Sequence, residues 1–96
     1  MTDLCKQINK FGKGIGHATR YRILEALMKG QKTVGDIAKM VDVSQPVASQ
    51  HLKVLKESDL VLDTKVGKEV YYGINTEQTL TLLTALVKDL EKKKVK

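Results

Sequence analysis

A mainly α fold with one small β-hairpin is what the 96 residues predict, on three observations. Aromatic residues make up 4% of the chain and Trp is absent, so any core must be built from Leu, Val, Ile, Ala and Met, a set that suits packed helices. Apolar residues recur at three- and four-residue spacings in several separate segments. Between Leu60 and Ile74 the spacing instead falls to two, around Val66-Gly67-Lys68, which predicts two strands and a turn.

The elements follow in order. Thr2 is positioned to cap a first helix, about 2–11, in which Leu4, Ile8 and Phe11 form one stripe. Gly12, Gly14 and Gly16 then predict a flexible joint; the G-x-G-x-G spacing, with no strand ahead of it, is not a phosphate-binding loop. From His17 to about Lys29, Tyr21, Ile23, Leu24, Leu27 and Met28 cover the wide face of a buried helix that Gly30 ends. Thr33 caps a short helix with Asp36 in its first turn and Ile37, Ala38, Met40 and Val41 on its inner side. Asp42 suits the left-handed turn that stops it. Ser44 caps the next helix, with Pro46 in the first turn, and this helix runs to about Ser58. Strands at Leu60–Lys65 and Glu69–Ile74 follow, and then a last helix, about 76–93, whose stretch Thr79–Val87 has no charged residue. Nothing repeats, and residues 1–96 read as a single domain, small enough to need a partner subunit for a full core.

The balance of 17 Lys and Arg against 11 Asp and Glu, a formal charge of +6, suits an anionic partner, nucleic acid or a membrane surface. No apolar run reaches membrane-spanning length, so a soluble chain is expected, without a membrane partner. A single Cys5 excludes an intrachain disulfide framework and, with no secretory segment, points to the cytoplasm. Its default role is that of a small buried hydrophobe, with redox sensing as the sharper alternative.

The chemistry lies in Ser44-Gln45-Pro46-Val47-Ala48-Ser49-Gln50-His51-Leu52. Two short helices joined by a tight turn make a helix-turn-helix, about 33–58, and the hairpin after it, about 60–74, makes a winged one. At about 100° per residue, Ala48, Leu52 and Leu55 share the core side. Opposite them lie Pro46, Val47, Gln50, Lys53 and Val54, with Ser49 and His51 on the flanks and Ser44 and Gln45 at the N-terminal tip. Gln50 can pair with an adenine edge, Val47 can meet a thymine methyl, the serines can bond base or phosphate, and Lys53 can reach a phosphate. A solvated face behind a simple cap is the bland alternative; the short preceding helix, the wing and the charge favour duplex DNA.

In the last helix Leu80, Leu83, Val87 and Leu90 form a stripe that Leu82 and Leu86 extend. A terminal helix cannot hide so much apolar surface alone. With Leu4, Ile8 and Phe11 it is expected to form a homodimer interface, so that the fold dimerises through its N- and C-terminal helices.

The runs HATRYRILEAL (His17–Leu27), TVGDIAKMVDVSQPVASQHLKVLKESDLV (Thr33–Val61) and GKEVYYGIN (Gly67–Asn75) closely resemble the arsenic-repressor (ArsR/SmtB) family of winged-helix transcriptional regulators. The resemblance implies a homodimer on an inverted-repeat operator, repressing until an effector, here unidentified, releases it. It implies DNA reading by Ser44, Gln45, Ser49, Gln50 and Lys53, and a wing role for Lys65 and Lys68. Many members sense metals through a thiol box where this chain has Thr33-Val34-Gly35-Asp36, or through Asp and His on the last helix, where this chain has Asp89 and Glu91 but no His. Cys5, His17 and His51 make no ligand set, and His17 is expected to cap or pack at a helix start. No metal and no cofactor is therefore expected. No nucleophile with a base and no paired carboxylates suggest an enzyme. The competing reading is a winged-helix module that binds protein rather than DNA, which an acidic or apolar reading face would have favoured.

Overall fold

The structure, a computed structural model, describes residues 3–94; the cap expected at Thr2 lies outside them. Helix α1 spans Asp3–Ile15 and is unbroken, so the expected joint at its glycines is a helix instead. Packing overrides propensity here. A Cβ on Gly14 would stand 2.5 Å from Leu60 Cδ1 and 2.9 Å from Ser58 Cβ, so glycine lets α1 press its backbone onto that turn. The helix stops at Ile15, where Arg20 collects its last carbonyls: Nε donates to Gly14 O at 2.8 Å and a terminal guanidinium nitrogen donates to Lys13 O at 2.9 Å.

Helix α2, Ala18–Leu27, starts on His17, whose Nδ1 accepts the Thr19 N–H at 3.1 Å. It buries Ile23, Leu24, Ala26 and Leu27, but Tyr21 and Met28 stay exposed. Tyr21 lies about 200° around the helix from Ile23, and Met28 is the C-cap, beyond the packed turns. Gly30 then turns the chain at φ 134°.

A two-residue strand, β1 (Lys32–Thr33), was not expected. It pairs antiparallel with the second strand of the hairpin, Lys32 opposite Tyr72 and Thr33 opposite Tyr71, so the hairpin belongs to a three-stranded sheet with that strand in the middle. Two residues are too few to display a period. Helix α3, Val34–Val41, is capped by Thr33, whose Oγ1 accepts the Asp36 N–H at 3.2 Å. Ile37, Ala38 and Val41 are buried; Met40, expected inside, is exposed. Asp42 holds the left-handed conformation at φ 59°, ψ 53°, and Arg22 donates to Val41 O at 3.1 Å, fastening α2 to the end of α3.

Helix α4 covers Gln45–Glu57, and strands β2 (Val61–Val66) and β3 (Glu69–Ile74) follow with Val61 opposite Ile74 and Val66 opposite Glu69. Leu60 precedes the strand; it is buried in the turn that Asp59, at φ 62°, makes possible. Ile23, Ile37, Leu52, Leu55 and Val61 are the fully buried centre, with Phe11, Ile15, Tyr72 and Ile74 packed on its rim. Helix α5, Thr76–Lys94, leans on α1, and among its described residues Leu82 is the buried side chain.

The close approach at Gly14 has a measurable consequence. Gly14→Ala should lower stability by about 1–3 kcal/mol, since neither the buried Leu60 side chain nor Ser58 Cβ, one bond from the main chain, can yield cheaply. Denaturant unfolding checks this against Gly12→Ala, where a Cβ meets nothing within 4 Å and the helix should gain slightly.

Candidate nucleic-acid interface

Helices α3 and α4 meet at the left-handed Asp42, and the turn is completed when Ser44 Oγ accepts the Val47 N–H at 3.3 Å. That bond occupies the oxygen as acceptor and leaves the hydroxyl proton free to donate outward, so Ser44 is a cap and a surface donor at once. Beyond it the helix divides cleanly. Ala48, Leu52 and Leu55 are at most 1% exposed, whereas Gln45, Pro46, Val47, Ser49, Gln50 and Lys53 are all in solvent. Val54, expected outside with them, is half-buried.

The hairpin projects beside this helix. Val66 and Glu69 pair across a two-residue loop in which Gly67 alone has positive φ, 64°, the arrangement of a type II′ turn matched to strand twist. Lys65 and Lys68 are exposed at this end. Lys56 Nζ donates to Asp63 Oδ2 at 2.9 Å, joining the last turn of α4 to β2, and this bond raises the Lys56 pKa.

The contact that sequence reasoning missed is between the two histidines. The rings of His17 and His51 lie with centroids 4.8 Å apart, tilted by 47°, so the N-cap of α2 touches the flank of α4. Thirty-four positions separate them, and no local spacing signals the pair. Burial pushes the His51 pKa below 6.5, and the nearby His17 and Arg20 push it the same way.

The residues expected at the dimer interface fall into two groups. Leu80, Leu83, Val87 and Leu90 line the outer face of α5, between 38% and 60% exposed. Leu4 and Ile8 are half-buried, while Phe11 packs against the chain's own core. Leu82, read as an extension of that stripe, is turned inward and buried, because it lies about 160° around the helix from Leu80. Cys5 is exposed rather than buried. Among the described residues no three His, Cys, Asp or Glu cluster as a metal site would require, and no helix is long and apolar enough to cross a membrane.

Residues 17–62, from the cap of α2 into β2, match the family described as bacterial regulatory protein, arsR family. The chain is also similar to the transcriptional repressor SdpR of Bacillus subtilis (strain 168), 39% identical over 69 residues that cover 72% of this chain and 77% of that protein. The chain belongs to the arsR family. A second relative, the HTH-type transcriptional regulator Rv2034 of Mycobacterium tuberculosis, is 39% identical over 80 residues, 83% of this chain and 71% of its own. Among solved structures, the homodimeric winged helix-turn-helix DNA-binding domain Mb0332 of Mycobacterium bovis superposes with a TM-score of 0.76 at 29% identity, over 99% of this chain and 91% of that one. The arsR-family chain is accordingly a transcriptional regulator with a winged helix-turn-helix fold.

Burial of His51, with His17 and Arg20 beside it, makes stability depend on pH in a defined direction. The folded state holds His51 below its unfolded pKa of 6.5, so below that pH the unfolded chain binds more protons. Stability should be complete above pH 6.5 and fall as the solution is acidified. In His51→Gln this part of the slope should vanish, which melting temperatures between pH 7.5 and 5 will measure.

Proposed function

We propose that the chain acts in the cytoplasm, as a single domain, and that as a homodimer it binds duplex DNA sequence-specifically and represses transcription. The N-terminal half of α4 would lie in the major groove. One observation carries this reading: α4 buries its apolar stripe completely and leaves Ser44, Gln45, Val47, Ser49, Gln50 and Lys53 in solvent. These are the groups that base edges, thymine methyls and phosphates require. Lys65 and Lys68 on the wing and a formal charge of +6 add a field that draws in a polyanion. The names of the relatives, a repressor and a homodimeric DNA-binding domain, support the same reading.

The exposed leucines of α5 support the dimer. Leu80, Leu83, Val87 and Leu90 are exposed along α5, with Leu4 and Ile8 half-open on the neighbouring α1. The radius of gyration, 15.0 Å, exceeds the about 12.5 Å of a compact chain this long, and the longest axis of the molecule is 53 Å. A second copy laid against α1 and α5 would cover this apolar strip and hold two reading helices at a fixed separation. The operator would then be an inverted repeat with half-sites about 34–36 Å apart.

Binding to a duplex selected from a random pool tests the reading. Gln50→Ala should cost on the order of 1–3 kcal/mol at one base position in each half-site. Lys53→Ala should weaken all sequences alike and reduce the salt slope by about 1. Equal losses on selected and random duplexes in both variants would mean that α4 positions the protein without reading sequence. Sedimentation should find the unmodified chain dimeric without DNA, and Leu83→Lys with Leu90→Lys should yield helical monomers that bind the operator weakly. A folded unmodified monomer at tens of micromolar would remove the two-fold operator from the proposal.

A further inference from the structure

Gly35 is the second residue of α3, a position where alanine is the better helix former. Its φ is not positive, so the backbone does not require glycine there. Outside its chain neighbours and the backbone of α3, a Cβ on Gly35 would find only two atoms within 4 Å: Gln45 Nε2 at 3.3 Å and Thr33 Oγ1 at 3.9 Å. The first of these distances is tight, and the atom concerned is the far end of a flexible side chain. Gln45 is the first residue of the reading helix, so its carboxamide lies against the first turn of α3 and over the space that a side chain at 35 would take.

We propose that Gly35 is a positioning residue for DNA reading: with no side chain of its own, it gives the Gln45 carboxamide a seat on the first turn of α3. The inference rests on the DNA-reading role proposed above for Gln45. A carboxamide offers an acceptor and two donors, and free in solvent it samples many rotamers. Held against α3 it reaches the DNA with less rotamer freedom left to lose. Hydrogen bonds to a base edge tolerate only a few tenths of an ångström. A methyl group at 35 would move the amide by at least that much and leave the core untouched, because none of the buried side chains stands within 4 Å of it.

The test uses the full chain and the duplex that the unmodified protein enriches from a random pool. Gly35→Ala should melt at the same temperature or higher, yet bind the selected duplex about five- to thirtyfold more weakly, as the loss of one good base contact would do. Its affinity for random duplex should change by less than about twofold, since phosphate contacts supply that binding. Gln45→Ala should lose a similar factor, and Gly35→Ala added to it should lose nothing more. The inference is overturned if Gly35→Ala binds like the unmodified protein, or if its loss persists in full beside Gln45→Ala. It is equally overturned if Gly35→Ala fails to fold, because the glycine would then serve the backbone. Should the unmodified protein enrich no sequence at all, the reading as a sequence-specific binder fails first and takes this inference with it.

Discussion

The inner stripe of α4 is the constraint on which the rest depends. Ala48, Leu52 and Leu55 have no appreciable contact with water, and with Ile23, Ile37 and Val61 they make the centre of the core. Fully burying a side chain the size of leucine contributes about 1.5–3 kcal/mol, comparable to much of a small domain's net stability. Rotating α4 by one residue would expose two leucines and bury Ser49, Lys53 and Lys56 in one direction, or His51 between two valines in the other. The helix is therefore locked about its axis, and the polar residues opposite the stripe are held outward by packing beneath them.

A second set of contacts determines where that helix sits relative to the ends of the chain. Gly14 lets α1 lie directly on Ser58 and Leu60 at the end of α4, Arg20 ties the last carbonyls of α1 to α2, and Lys10 reaches Asp59 at 2.8 Å. The ion pair is half-exposed on both sides and contributes little by itself. Backbone approach at the glycine does more, because a steric contact does not yield to salt or solvent. A helix that carries part of the apolar outer strip is thus joined rigidly to the end of the helix that faces outward. Orientation of one copy against another would pass directly into the spacing of two reading helices.

Helices α2, α3, α4 and α5 each begin on a side chain that caps their first turn. His17, Thr33, Ser44 and Asn75 each accept a backbone N–H at the start of a helix, which satisfies donors that would otherwise be stranded. No polar or charged residue is fully buried among the described residues. The charge is thus left on the surface, and among the described residues the buried side-chain polar atom without a hydrogen-bond partner is Thr79 Oγ1. The pairing of His17 with His51 is the exception in kind, since it adds a titratable contact between the cap of one helix and the side of another.

The sequence by itself determined the elements whose cause is local. The Thr33 and Ser44 caps, the left-handed Asp42, the Gly67 turn and the inward stripe of α4 all follow from residue type and spacing within a few positions, and all are in the structure. The outward face of α4 followed from the same periodicity, apart from Val54, which is half-buried. Tertiary structure decided what depends on partners distant in the chain. Gly12 and Gly14 read as a joint, yet α1 runs through them because Leu60 and Ser58 press on its backbone. Met40 and Tyr21 read as core and are exposed, and Leu82 read as surface strip and is buried, because a helix with apolar residues on two sides does not say which side has a neighbour. The strand at Lys32–Thr33, the contact of His17 with His51 and the seat of Gln45 over Gly35 arise only when segments 10 or more residues apart are packed together. Spacing along a chain records the faces of an element, and packing alone determines what each face meets.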